Sequence, residues 1–193
     1  MWPLSRVLCV AVIIGLLAGG LAGCTAPREG QLAVYLQGGP LDGFLSLFLN
    51  VTKIEVHRQA VTQNVPAEGW IVVMEARKRI DLTAYADNSS RAFLAVASLT
   101  AHTYREMRFT FTGADAVLEG GNSSVTVALA SETTRVSRPF AIADRETTRV
   151  ILDIDLPRAL TRDDAGFWTL SPAFAEIHVQ EDAAGEEGDV RDA

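Results

Sequence analysis

The sequence predicts an all-β protein, an antiparallel β-sandwich of about nine strands behind an N-terminal signal segment. Three observations carry that expectation. Beyond residue 30 the apolar residues recur with period 2 in stretch after stretch, the spacing of side chains on one face of a strand. Clusters of Gly, Pro, Asn, Asp and Ser punctuate those stretches roughly every ten residues. No long segment of helical period follows the first 23 residues.

The opening residues are an address, not part of the sandwich. Arg6 supplies a cation, Val7 to Leu17 is apolar apart from Gly15, and Ala18 to Gly23 is small. That order describes a secretory signal peptide over residues 1–23. The apolar run falls short of the roughly 20 residues a spanning helix needs. It closes in Leu21-Ala22-Gly23-Cys24, which matches the lipoprotein box of bacteria and archaea. There the Cys24 thiol takes a diacylglyceryl group and becomes the first mature residue. Two acyl chains hold a protein firmly where one binds reversibly, each buried methylene contributing about 0.8 kcal/mol. The only other cysteine is Cys9, inside the signal. The mature domain therefore has no disulfide, no thiol nucleophile and no thiolate metal ligand.

Residues 24–30 form a lipidated tether, 31–180 the sandwich and 181–193 an acidic, solvated, disordered tail. The 170 residues left after the signal suffice for one domain with a sizeable core. The whole chain carries net charge −7 with its basic residues scattered among acids, so nucleic acid is not an expected partner.

The strands follow in order. Gln31 to Leu36 is the first, broken by Gln37-Gly38-Gly39-Pro40. From Leu45 to Arg58 the alternation is the clearest in the chain. Leu45, Leu47, Leu49 and Val51 share one parity, Ile54 and Val56 the other, and the flip at Thr52–Lys53 marks a bulge or a change of sheet. Trp70 to Glu75 alternates little, which suggests a central strand with Trp70 in the core; Arg79 to Leu82 continues it. Residues 91 to 99 fit a strand or one short helix. Tyr104 to Thr112 alternates cleanly, with Tyr104, Phe109 and Phe111 as core aromatics. Ala116 to Leu118 and Val125 to Leu129 form a hairpin around Gly120-Gly121-Asn122. Arg135 to Ile142 is a strand that Pro139 marks as an edge. Thr148 to Leu156 is a strand stopped by Pro157, and Phe167 to Val179 gives the last one or two strands.

The order of several short motifs resembles a family of secreted lipoproteins known as domain of unknown function 4382. The pieces are Leu32 to Pro40, Val56-His57, Gly69-Trp70, Ile80-Asp81-Leu82, Leu99 to Tyr104, Asp153-Ile154-Asp155 and Leu170-Ser171-Pro172. The resemblance covers about residues 31 to 180 and implies a transthyretin-like sandwich, related in plan to the immunoglobulin sandwich. It assigns no activity and no catalytic residue. Where the family tends to carry Thr-Asp-Ala-Pro, this chain has Gln37-Gly38-Gly39-Pro40.

Candidate chemistry is sparse. His57, His102 and His178 lie far apart without the spacing of metal ligands. Asp153 and Asp155 share one face of a strand about 7 Å apart. Two such carboxylates could bind Ca²⁺ or act as general acid and base, but a solvated strand face is the reading the pattern favours. Asn50, Asn88 and Asn122 each open an Asn-x-Ser/Thr triplet, the acceptor for N-glycosylation, and their use would suit an archaeal surface. Phe167 and Trp168 could stack on sugars. No hydrolase, zinc-protease or phosphate-loop motif occurs, and no cofactor is implied. The expected function is a non-enzymatic binding or envelope-structural role, outside a prokaryotic membrane and anchored through Cys24, with a cell-surface glycan or envelope protein as partner. The alternatives are a carbohydrate- or calcium-binding adhesion domain and a hydrolase built on Asp153 and Asp155.

Overall fold

The computed structural model describes residues 28–58, 69–85, 90–121, 123–174 and 176–182. Among these residues twelve strands build two sheets that face each other across one apolar core. The first sheet has the order β12 (Glu176–Asp182), β9 (Thr147–Asp153), β1 (Glu29–Gln37), β4 (Ala92–Thr100). The second runs β10 (Leu160–Arg162), β11 (Trp168–Leu170), β6 (Ser124–Leu129), β5 (His102–Leu118), β2 (Phe44–Arg58), β3 (Ile71–Asp81). There β7 (Thr133–Val136) and β8 (Phe140–Ile142) pair with the first half of β5.

The alternation does what it should in the core. Leu47, Leu49, Ile54, Val56, Tyr104, Phe109 and Phe111 are at most 1% exposed. The parity flip in β2 is a bulge: its register against both β3 and β5 shifts between Val51 and Lys53. The strand stays in one sheet, so the change-of-sheet alternative falls away. Tyr104 closes the turn from β4 into β5, its hydroxyl donating to the Thr100 carbonyl at 3.0 Å, the bond made by a tyrosine corner.

Several expectations need correction. The sheets are mixed, not antiparallel, because β1 runs parallel to β9 and β11 parallel to β6. Alternation reports which face is buried and carries no information on the direction of the neighbour. The described residues form twelve strands rather than about nine, because the stretch from Arg135 to Ile142 breaks at Pro139 and three-residue strands flank the turn before Trp168. Residues 92–100 are a strand. The unalternating Trp70–Leu82 stretch forms edge strand β3, not a central one. Two bulges against β2, rather than burial on both faces, erase its pattern. Leu45 is 61% exposed, because a register shift between Phe44 and Ser46 turns it outward.

The Asp153/Asp155 pair does not share a strand face. The strand ends at Asp153, and Asp155 caps a one-turn helix, α1 (Leu156–Ala159), whose first turn accommodates Pro157. The last strand includes Glu181 and Asp182, and residues 183–193 lie outside the described residues. Among the described residues no helix is long and apolar enough to cross a membrane.

Candidate functional site

Past its bulge, β2 turns Ile54 and Val56 into the core and Lys53, Glu55 and His57 to the outer face of the larger sheet. Glu55 nevertheless remains only 5% exposed. Register explains why. Arg108 of β5 stands directly opposite Glu55, and its Nε and Nη2 reach Glu55 Oε2 at 2.8 and 2.7 Å. Lys53 Nζ lies 3.1 Å from the other oxygen, Oε1. Burial alone would push the Glu55 carboxyl up. The hydrogen bonds from Arg108 and Lys53, together with their charges, outweigh it and hold the group below the ordinary carboxylate value.

Trp70 completes the cluster from the residue before β3. Its ring is not in the core, the position its aromatic character suggests. The Arg108 guanidinium lies 4.3 Å from the ring centroid, that of Arg135 on β7 5.5 Å, and the His57 ring meets it edge-on at 5.3 Å. An indole with its π face against cations is attracted through the ring quadrupole. Arg135 is itself the cross-strand partner of Arg108. Glu106, opposite His57 on β5, belongs to the same face. None of Glu55, Arg108 and Arg135 stands out along the chain, since each is an ordinary polar position in an alternating strand. Only register brings them together.

A second arrangement of the same kind lies on this sheet. Arg79 sits 3.4 Å from the Phe48 ring centroid and pairs with Asp115 at 2.6 Å, and Asp115 also accepts the Ser124 hydroxyl at 3.3 Å. Arginine, aromatic ring and carboxylate thus recur as a unit that covers a solvent-facing sheet.

The remaining candidates are scattered. Cys24, Asn88 and Asn122 lie outside the described residues. Asn50 is half-buried on β2 with its amide nitrogen donating to Gly113 O at 3.3 Å, and the Thr52 hydroxyl of its triplet donates to Thr110 O at 3.2 Å. Asp155 accepts the Arg158 backbone N–H at 3.3 Å, and its other oxygen lies 3.3 Å from Arg158 Nε. It lines an open groove of about 230 Å³ with Arg158, Ser171 and Phe174. His102, at the start of β5, accepts the Thr103 N–H on Nδ1 at 2.7 Å, and His178 lies exposed on β12 of the other sheet. Phe167 and Trp168 part company. Phe167 is 71% exposed at a turn closed by its own N–H donating to Asp163 Oδ1 at 2.8 Å. Trp168 packs inward, edge-on against Phe44 at 5.0 Å.

Residues 29–172 match the sequence model of a family described as Domain of unknown function (DUF4382). No curated protein and no solved structure matches the chain.

Proposed function

The chain belongs to the family described as Domain of unknown function (DUF4382), and from that premise we propose that it is an extracytoplasmic lipoprotein whose sandwich is a non-enzymatic binding module held at a prokaryotic membrane. The observation that carries this reading is the junction between Cys24 and the fold. Leu21-Ala22-Gly23-Cys24 ends the apolar leader, and β1 opens at Glu29, leaving only Thr25 to Arg28 between them. Four residues reach at most about 14 Å. A lipid on Cys24 would hold the start of β1 against the bilayer surface.

Strand directions then orient the module. Glu29 pairs with Thr100, the last residue of β4, and Arg145 in the turn before β9 donates its N–H to Glu29 O at 2.8 Å. β5 starts at that same end, β6 returns antiparallel to it, and β11 runs parallel to β6. Phe167, just before β11, would then stand at the end away from a lipid on Cys24.

The hydrolase alternative is not favoured, since Asp155 is engaged with α1 and Arg158 rather than paired with Asp153. The partner in this reading is a glycan or protein of the envelope. Cys24→Ser in the source organism is the test. The variant is expected to leave the membrane fraction and appear as a free exported protein. Retention in the membrane at the level of the unsubstituted protein would refute the anchor.

A further inference from the structure

On the outer face of the larger sheet, we infer that Trp70, Arg108 and Arg135 form a docking site for an acidic polysaccharide, with one sugar ring against the indole and its carboxylate on the Arg135 guanidinium. This deepens the reading of the domain as an extracytoplasmic binding module and rests on it.

Three observations point there. First, Trp70 is half-buried without packing into the core; its neighbours are His57 and two guanidinium groups on a polar face. Second, Arg108 and Arg135 are directly opposed across the β5–β7 pair, an arrangement in which like charges repel. Glu55 neutralises Arg108. Arg135 is exposed, has the Trp70 ring beside it, and has no carboxylate within ion-pair distance among the described residues. A carboxylate supplied by a ligand would pair with Arg135 and match the planar fork of its guanidinium bidentately. Third, Glu106 stands on the same face of β5, two residues before Arg108 and opposite His57. It adds an acceptor for sugar hydroxyls, which donate.

These groups discriminate between ligands. A sugar presents C–H bonds, positive at hydrogen, to the negative face of an indole. A neutral sugar would leave Arg135 uncompensated, and a bare inorganic anion would make no use of the ring. Nucleic acid carries its charge on a backbone apart from the bases that would stack, whereas a uronate carries its carboxylate on the same ring that would meet the indole. A uronic acid polymer, with one carboxylate per ring, fits the set.

The test is calorimetric titration of the full chain in a neutral detergent with trigalacturonate, galactotriose, sodium sulfate and a thymidine oligonucleotide as separate probes. Trigalacturonate is expected to bind at least tenfold tighter than the other three. Arg135→Gln should weaken it about tenfold and Trp70→Ala should abolish it, while Trp70→Phe keeps part of the affinity and Phe167→Ser keeps all of it. Arg135 is exposed, so Arg135→Gln should unfold at the same denaturant midpoint as the unsubstituted chain, which separates lost binding from lost folding. No binding of trigalacturonate, equal binding of sulfate or galactotriose, tighter binding of the oligonucleotide, or indifference to Arg135→Gln would each overturn the site. None of those results touches the Cys24→Ser fractionation, so this inference and the anchor fail separately.

Discussion

Arg108→Met is the perturbation for which the structure gives the clearest magnitude. Glu55 is 5% exposed, and Arg108 supplies two hydrogen bonds to its Oε2 at 2.8 and 2.7 Å. Removing one partner of a fully buried ion pair costs about 3–5 kcal/mol, because the remaining charge is stranded. Two features lower the figure here. The Arg108 side chain is 25% exposed, so water can enter the space it vacates, and Lys53 keeps its place 3.1 Å from Oε1. A loss of about 2–3 kcal/mol follows. With a urea dependence of about 2 kcal/mol/M for a domain of this size, the unfolding midpoint should fall by roughly 1–1.5 M. The effect also has a sign in pH. The folded Glu55 carboxyl titrates below its ordinary value, so its stabilising contribution is fully present above the unfolded value of about 4.3 and is lost as pH falls through the lower, folded one. In Arg108→Met, burial is no longer offset as fully, and protonation relieves the stranded charge. The gap between the two proteins should therefore narrow from pH 7 to pH 3. Urea denaturation followed by tryptophan fluorescence across that range checks both statements. A variant within 0.5 kcal/mol of the parent at pH 7, or a gap independent of pH, would refute the reasoning.

Two further predictions concern the frame. Tyr104→Phe removes the hydroxyl that donates to Thr100 O from a residue 0% exposed, and should lower stability by about 1 kcal/mol with no change in fold, measured by the denaturation midpoint. Gly38→Ala would put a Cβ 2.0 Å from the Leu82 carbonyl oxygen, a backbone atom that cannot swing aside. Gly39→Ala meets nothing within 4 Å. The first should cost about 2–3 kcal/mol and the second close to nothing, and equal midpoints for the pair would contradict the close approach of β1's end to Leu82.

Much of the frame could be read along the chain because alternation is a local signal. Leu47, Leu49, Phe109 and Phe111 announce their burial by parity, and the flip at Thr52–Lys53 announces a bulge. The Gly-rich turn between β5 and β6 and the corner at Tyr104 carry their own chemistry. What stayed hidden depends on neighbours distant in sequence. Nothing in Gln31 to Leu36 says that its partner Thr147 to Leu152 runs in the same direction. Nothing in Trp70 says that it lies among cations, since Arg108 and Arg135 come 38 and 65 residues later and meet it only through the β2, β5 and β7 register. Leu45 looked inward by parity and faces out because one shift in register cancels the inference. Asp155 looked like half of a carboxylate pair, but Pro157 suits a helix's first turn as well as it suits a strand's end.

The motif pieces that carry the family resemblance divide into two kinds once they are seen in space. Most of them brace the sandwich. Asp81 Oδ1 accepts the backbone N–H groups of Leu47 and Thr83 and the Thr83 hydroxyl at 3.3, 3.1 and 2.8 Å. Leu82 is fully buried and bonds Leu47 O through its N–H at 2.8 Å, and Pro172 O accepts the Thr134 hydroxyl at 2.8 Å. Tyr104 bonds Thr100. Packing and hydrogen bonding account for each of these without any ligand. His57 and Trp70, from two separate pieces, do not fit that account: they meet on the outer face, beside two arginines. A tryptophan placed there packs against His57 and two guanidinium groups rather than in the core. What it does supply is a flat ring and an uncompensated guanidinium side by side, which is a reason to look for a ligand at that face before any other.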